Sequence, residues 1–423
     1  MNDFVLHGAV LYCENSSSMK EYEDAYVVCE NGLCAGVFEE LPEKYSDFPV
    51  EDYWDKLIIP GLTDLHTHAP QYTFRGLFGD MELLEWLNSA TFPEEMQYDD
   101  PEYAEAAYDL FTEDLYIGAT TRAVIFATKH TDSTLMLMDM LEDTGLVTYV
   151  GKVNMDRNTP DGCRETTEES LRETVRWLDC VEERGYERTM PILTPRFTPA
   201  CSDRLMRELG ELSAARSLPV QSHLSENLEE IRLVSELCPD SRFYGDTYEK
   251  AGLFGSNAPC VMAHCVWSGS EEQDLIKKNG VYIAHCPQSN MRLSSGVAPV
   301  SLYLDRGIHV GLGTDCSAGA ELSLFSAMRD AVLASNMRWR LSDQNVRKLS
   351  FAEVFYMATL GGGSFFGKAG SFLPGYEFDA VVLDDENVQT MHPATPAERA
   401  ERLMYLLDDR NVVGKYVRGT KLY

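Results

Sequence analysis

Leu57-Ile58-Ile59-Pro60-Gly61-Leu62-Thr63-Asp64-Leu65-His66-Thr67-His68-Ala69-Pro70-Gln71 is an apolar run that ends in two histidines and is closed by a proline. It predicts a strand ending at His68. Side chains alternate across a strand, so His66 and His68 share one face. Two imidazoles held that way suit adjacent corners of a metal's coordination sphere. Taken alone they read more simply as two hydrogen-bonded histidines at a strand end, and the rest of the chain has to decide.

Downstream, apolar strand-like runs alternate with amphipathic helical stretches as far as about residue 364. The expected strands are Leu57–His66, Thr120–Ala127, Val147–Val153, Met190–Pro195, Pro219–His223, Cys260–His264, Val281–His285 and His309–Gly313. Helical sequence, such as Glu102–Tyr116, Glu168–Arg184, Asp203–Ser213, Glu226–Leu237 and Leu324–Asn336, lies between them. Eight strands, each followed by helix, give an α/β fold, a (β/α)8 TIM barrel. Both chain ends read as β instead: Phe4–Tyr12, Ala25–Cys29 and Leu33–Phe38 around an Asn31-Gly32 turn, then Phe378–Leu383 and Val413–Val417. Glu39–Asp55 reads as a polar connection. The expected organisation is a small β-sandwich domain built from residues 1–60 and 371–423, with the barrel, 61–370, between. Gly361-Gly362-Gly363 lacks the lysine and spacing of a phosphate loop and reads as a helix end.

At 423 residues, 44% hydrophobic and 25% charged, the chain can bury a large core without staples. No apolar run reaches the ~20 residues of a membrane helix, so no membrane partner is expected. A net charge of −32 opposes a polyanion, which excludes nucleic acid as a partner. Eleven scattered cysteines without a C-x-x-C pair, behind the acidic start Met1-Asn2-Asp3-Phe4, predict reduced thiols and a cytoplasmic location.

Barrel enzymes carry their chemistry at the C-terminal ends of the strands. Those ends hold His66 and His68 (first), His223 (fifth), His264 (sixth), His285 (seventh) and Asp315 (eighth). A lone His264 would be a bonded core residue and a lone Asp315 a helix cap. Together on one rim they would leave many buried polar groups unsatisfied unless a metal joined them. Zinc suits imidazole and carboxylate donors with a position left open for water; iron and manganese accept the same donors.

The string Pro60–His68, with His223, His264 and Gly313-Thr314-Asp315, resembles the amidohydrolase superfamily of metal-dependent hydrolases and deaminases, and within it the guanine deaminase family. The resemblance covers nearly the whole chain. It runs through Leu84-Glu85-Trp86-Leu87, Thr91-Phe92-Pro93, Gly151-Lys152-Val153, Thr194-Pro195-Arg196-Phe197, His223-Leu224-Ser225-Glu226-Asn227, His285-Cys286-Pro287-Gln288-Ser289-Asn290 and Asp408-Asp409-Arg410-Asn411. It implies one zinc ion per subunit on His66, His68, His223 and Asp315, with catalytic roles for Glu226 as proton shuttle, His264 beside the attacking water, and Asp315. It also implies substrate contacts from Gln71, Arg196, Phe197, His223 and Asp315. The implied reaction is hydrolysis of guanine to xanthine and ammonia in purine catabolism, by a homodimer acting on a small-molecule purine. Cys265 and Cys316 depart from the smaller or aliphatic neighbours expected beside such a site. Two-metal members carry a lysine on the fourth strand; Pro191–Arg196 offers only arginine, which favours one metal. A deaminase of another amino-heterocycle (a pterin, a triazine, an adenine derivative) and a non-catalytic barrel are the alternatives. The His-x-Glu and Pro-Cys-x-x-Cys strings of the other zinc deaminase fold do not occur.

Overall fold

The opening run divides at Gly61. In the computed structural model, which describes residues 3–388, 390–407 and 409–423, Pro60 ends a strand of one sheet and Leu62 begins a strand of another. Met1, Asn2 and Asp408, named above, lie outside the described residues. A Cβ on Gly61 would fall 2.1 Å from Thr121 Oγ1, so only glycine lets the chain pass here. In chain order the strands are β1 (Phe4–Asn15), β2 (Ser18–Glu30), β3 (Leu33–Phe38), β4 (Val50–Pro60), β5 (Leu62–His68), β6 (Thr120–Phe126), β7 (Val147–Gly151) and β8 (Val153–Asn154). They continue with β9 (Thr189–Pro191), β10 (Thr194–Pro195), β11 (Val220–Leu224), β12 (Cys260–His264), β13 (Tyr282–His285), β14 (His309–Leu312), β15 (Ala380–Leu383), β16 (Val412–Val417) and β17 (Thr420–Lys421).

Eight parallel strands pair in the order β11-β12-β13-β14-β5-β6-β7-β9. Leu193 closes the ring: its N–H donates to Pro219 O and its carbonyl accepts from Gln221 N–H, both at 2.9 Å. The α/β barrel expected from the pattern is therefore present. Its fourth stretch splits into β9 and β10 because Pro191 and Pro195 have no N–H to give the ladder. Leu65, Val124, Ile192, Val261, Ala263, Ala284 and Cys286 fill the interior, while the alternate residues pack outward on the helices. The helix expected from Glu226 starts at Leu228. Asn227 and Glu230 form a capping box that fixes the start and leaves Glu226 in the loop above the barrel.

The chain ends form a second sheet, ordered β17-β16-β15-β4-β1-β2-β3. Residues 50–55, expected in a connection, belong to β4, parallel to β1; β15 pairs antiparallel with its other end, Leu57–Pro60. That half of β4 alternates exposed and half-buried positions, so the backbone ladder, not side-chain burial, holds it. Phe4 and Tyr416 belong to strands three spacings apart, which on a flat sheet is about 14 Å. Their ring centroids lie 5.3 Å apart, so the sheet curls over its own core of Leu6, Val10, Val27, Ala380 and Val382. Cys34 N–H donates to Tyr376 O (2.8 Å) and Phe378 N–H to Gly32 O (2.9 Å), bringing the β3 edge round to the segment that leads into β15.

Where the two bodies meet, Arg122 of β6 is 2% exposed and pairs with Asp379 at 2.5 Å and Glu377 at 2.7 Å. Gly361 and Gly362 press a helix onto the barrel floor: added Cβ atoms would lie 2.9 Å from Val310 O and 3.1 Å from Thr63 Cβ. Among the described residues no helix is long and apolar enough to cross a membrane.

Candidate metal centre and active site

Strand alternation alone does not build the rim. A register slip in β5 between Asp64 and Thr67 lets both Leu65 and His66 face inward. On β12, Val261 and Ala263 point into the barrel, so His264 should turn outward; its left-handed backbone (φ 75°) swings it back. Ser225 (φ 48°), Cys265 (φ 49°), Ser294 (φ 54°) and Asp315 (φ 49°) are left-handed as well. Such conformations cost about 1–3 kcal/mol apiece outside glycine and gather where a site demands them. Asp64 brackets the first and eighth strands. Its carboxylate accepts from His66 N–H (3.0 Å), Thr314 N–H (3.1 Å) and Thr314 Oγ1 (2.5 Å).

Four donors converge. His68 Nε2 lies 3.2 Å from His66 Nε2, 3.3 Å from His223 Nε2 and 3.4 Å from Asp315 Oδ1; His66 Nε2 is 3.2 Å from that same oxygen. No assignment of protons satisfies so many lone pairs facing one another. A four-coordinate ion with bonds of 2.0–2.1 Å sets its donors roughly 3.3 Å apart, which is the spacing seen. Burial lowers the pKa of His66 and of His223 to about 3, and holds His68 and His264 well below the usual imidazole range, so their lone pairs are free. His223 Nδ1–H donates to Arg196 O at 2.6 Å, which leaves Nε2 as the coordinating atom. These residues fit a bound metal ion.

His264 stands to one side. Its Nε2 is 3.4 Å from Glu226 Oε2 and 3.8 Å from Asp315 Oδ2, and Asn290 meets its Nδ1 at 2.9 Å. Its donor atom still lies within 4.8 Å of those of His66 and His223. Glu226 is 2% exposed; burial first, then the neighbouring Glu230 and Asp315, raises its carboxyl well above the usual range. Ser295 Oγ donates to Glu226 Oε1 at 3.0 Å. Cys286 also comes within 4.8 Å of His66 and Asp315, but burial keeps its thiol protonated. His285 is buried on the outward-facing side of β13 and takes no part in the short contacts described. Cys265 and Cys316 are both buried, and Cys316 O accepts from His68 N–H at 3.2 Å.

The cluster opens into a cavity whose lining includes Gln71, Trp86, Arg196, Phe197, Glu226 and Leu293. Gln71 Oε1 is buried without a partner. Sequence reasoning missed three supporting residues: Asp64, Ser295, and Glu95, which touches both Gln71 and Arg196. Asp64 stood inside the quoted run, two residues from His66. Glu95 sits beside the half-buried Glu94, and nothing in the text says which of the two turns fully inward.

Residues 57–422 match the model of the Amidohydrolase family. The chain is 40% identical over 379 residues to guanine deaminase of Mus musculus, covering 87% of this chain and 83% of the relative. It is 34% identical over 424 residues to guanine deaminase of Escherichia coli K12, covering 97% and 93%. The crystal structure of guanine deaminase from C. acetobutylicum with bound guanine in the active site superimposes with a TM-score of 0.96 at 46% identity, over 100% of both chains. The chain thus belongs to the amidohydrolase family, in the branch that holds the curated guanine deaminases.

Proposed function

We propose that this chain hydrolyses guanine to xanthine and ammonia, with one zinc ion per subunit held by His66, His68, His223 and Asp315. One observation carries the reading: the converging donors and the buried Glu226 open onto the same cavity as Gln71, Arg196 and Phe197. Zinc, when bound, supplies the Lewis acidity that brings a water's pKa down to about 7.

The remaining work falls to the chain. Glu226 takes a proton from the attacking water and gives it to the ring nitrogen beside the carbon that bears the exocyclic amine, which makes that carbon electrophilic. A second transfer through the same carboxyl protonates the amine, which leaves as ammonia. Ser295 holds Glu226 Oε1, so Oε2 is the atom that moves protons. His264 Nε2, between Glu226 and Asp315, stabilises charge developing on the attacking oxygen. Gln71 and Arg196 bond the polar edge of the base, and Phe197 walls its flat face.

The setting that accompanies this reading is purine catabolism in the cytoplasm by a homodimer, and light scattering on the purified protein tests the dimer. The activity test is an ultraviolet assay of guanine-to-xanthine conversion on zinc-loaded protein, with adenine and cytosine as controls. Guanine turnover alone is expected. Ammonia release from a pterin or triazine in its place would overturn the substrate, and no turnover at all would overturn the enzyme.

A further inference from the structure

Glu95 is 4% exposed and lies at the end of the short helix Phe92–Glu95. Its Oε1 accepts from Gln71 Nε2 at 3.1 Å and its Oε2 from Arg196 Nη1 at 2.6 Å. Gln71 and Arg196 are themselves 1% and 2% exposed, and the guanidinium rests over the Phe92 ring at 5.1 Å. An ionised carboxylate only accepts, so both neighbours must donate. The amide of Gln71 is thereby turned one way: its NH₂ goes to Glu95, and Oε1, buried and without a partner, is left as an acceptor. Arg196 has no acceptor to offer, and its uncommitted N–H groups remain donors. Because the two side chains meet the two oxygens of one carboxylate, the acceptor and the donors stand next to each other on the cavity wall.

We propose that Glu95 is the specificity-setting residue of this cavity. By accepting from Gln71 and Arg196 together, it fixes their polarity so that the site takes a base edge with a ring N–H beside a carbonyl. It rejects the reverse edge, a bare ring nitrogen beside an amine. The proposal rests on the purine reading above and narrows it to 6-oxopurines. Glu95 touches no reacting atom; it acts through Gln71 and Arg196 and is a positioning residue.

The test uses zinc-loaded protein carrying Glu95→Gln, which can no longer accept from both neighbours. Guanine kinetics are joined to calorimetric binding of hypoxanthine and adenine, neither of which bears the reacting amine. The kcat/KM for guanine should fall by roughly 10–100-fold, chiefly through KM, as charge-assisted bonds of that size are lost. The preference for hypoxanthine over adenine should shrink by a similar factor, with metal content unchanged. In a Gln71→Ala background the same change should matter only a few-fold, because one of the groups it acts through is already gone. Glu95→Asp, too short to reach both partners, should give an intermediate loss and serves if Glu95→Gln does not fold. An unchanged hypoxanthine preference, or an equal loss in both backgrounds, would overturn the proposal. Failure of the unsubstituted protein to turn over guanine would overturn the reaction assigned above, while the two binding preferences would still judge Glu95.

Discussion

The barrel buries a polar cluster at each end, and the two are built on opposite logic. At the floor, Arg122 meets Asp379 and Glu377, opposite charges at 2.5 and 2.7 Å, with Thr121 and Arg418 N–H filling further positions on Asp379. At the rim, three neutral imidazoles and a carboxylate turn lone pairs toward one another at 3.2–3.4 Å. The first cluster is complete and locks two sheets together. The second is chemically incomplete and calls for a cation. Arg122 and Asp379 are as deeply buried as the rim residues, so it is the matching of donors to acceptors that separates a structural cluster from a functional one.

The contrast can be broken from either end. Asp315→Ala should abolish deamination to the detection limit and drop bound metal, measured by elemental analysis, toward zero. Stability of the metal-free protein should hold or rise, since a strained, unmatched group is gone. Glu226→Gln should keep the metal and lower kcat by about 10²–10⁴-fold, the usual worth of a general acid–base group. Metal loss in that variant would instead make Glu226 part of the ion's support. Arg122→Met should do the reverse of Asp315→Ala. Leaving Asp379 buried without its partner should cost about 3–5 kcal/mol in denaturant unfolding. Metal content and kcat/KM per folded molecule should stay as they were. The smallest effect belongs to Trp267→Phe, which removes the bond from Nε1 to Ser295 O (2.7 Å) but keeps the ring. About 1 kcal/mol of local support is lost, read as a kcat drop of a few-fold with KM unchanged.

The rim was legible because its residues punctuate strand ends, where type and position coincide in the text. His66, His68, His223, His264 and Asp315 could be picked out that way, and the fold brings their donor atoms together. What the text hid was conformation. Nothing in Met262-Ala263-His264 announces the left-handed turn that brings His264 inward, because the turn is imposed by the neighbouring strands. Glu95 was invisible for a related reason: of Pro93-Glu94-Glu95, only the phase of the preceding wide helical turn, Leu87–Thr91, decides which glutamate is buried. The start of β4 was missed because Glu51, Asp52 and Asp55 look like loop residues. Their strand is dictated by the hydrogen-bonding edge of β1, a long-range demand that composition does not carry.

The order of the second sheet has a consequence for biosynthesis. During translation β1 to β4 can assemble as soon as they emerge, yet the free side of β4 gains its permanent neighbour only when Ala380–Leu383 leaves the ribosome, after the whole barrel. Throughout that interval Leu57-Ile58-Ile59 presents an uncovered row of amides and carbonyls, the kind of template that captures other nascent chains. Slow or truncated synthesis should therefore show itself first as aggregation seeded at this strand.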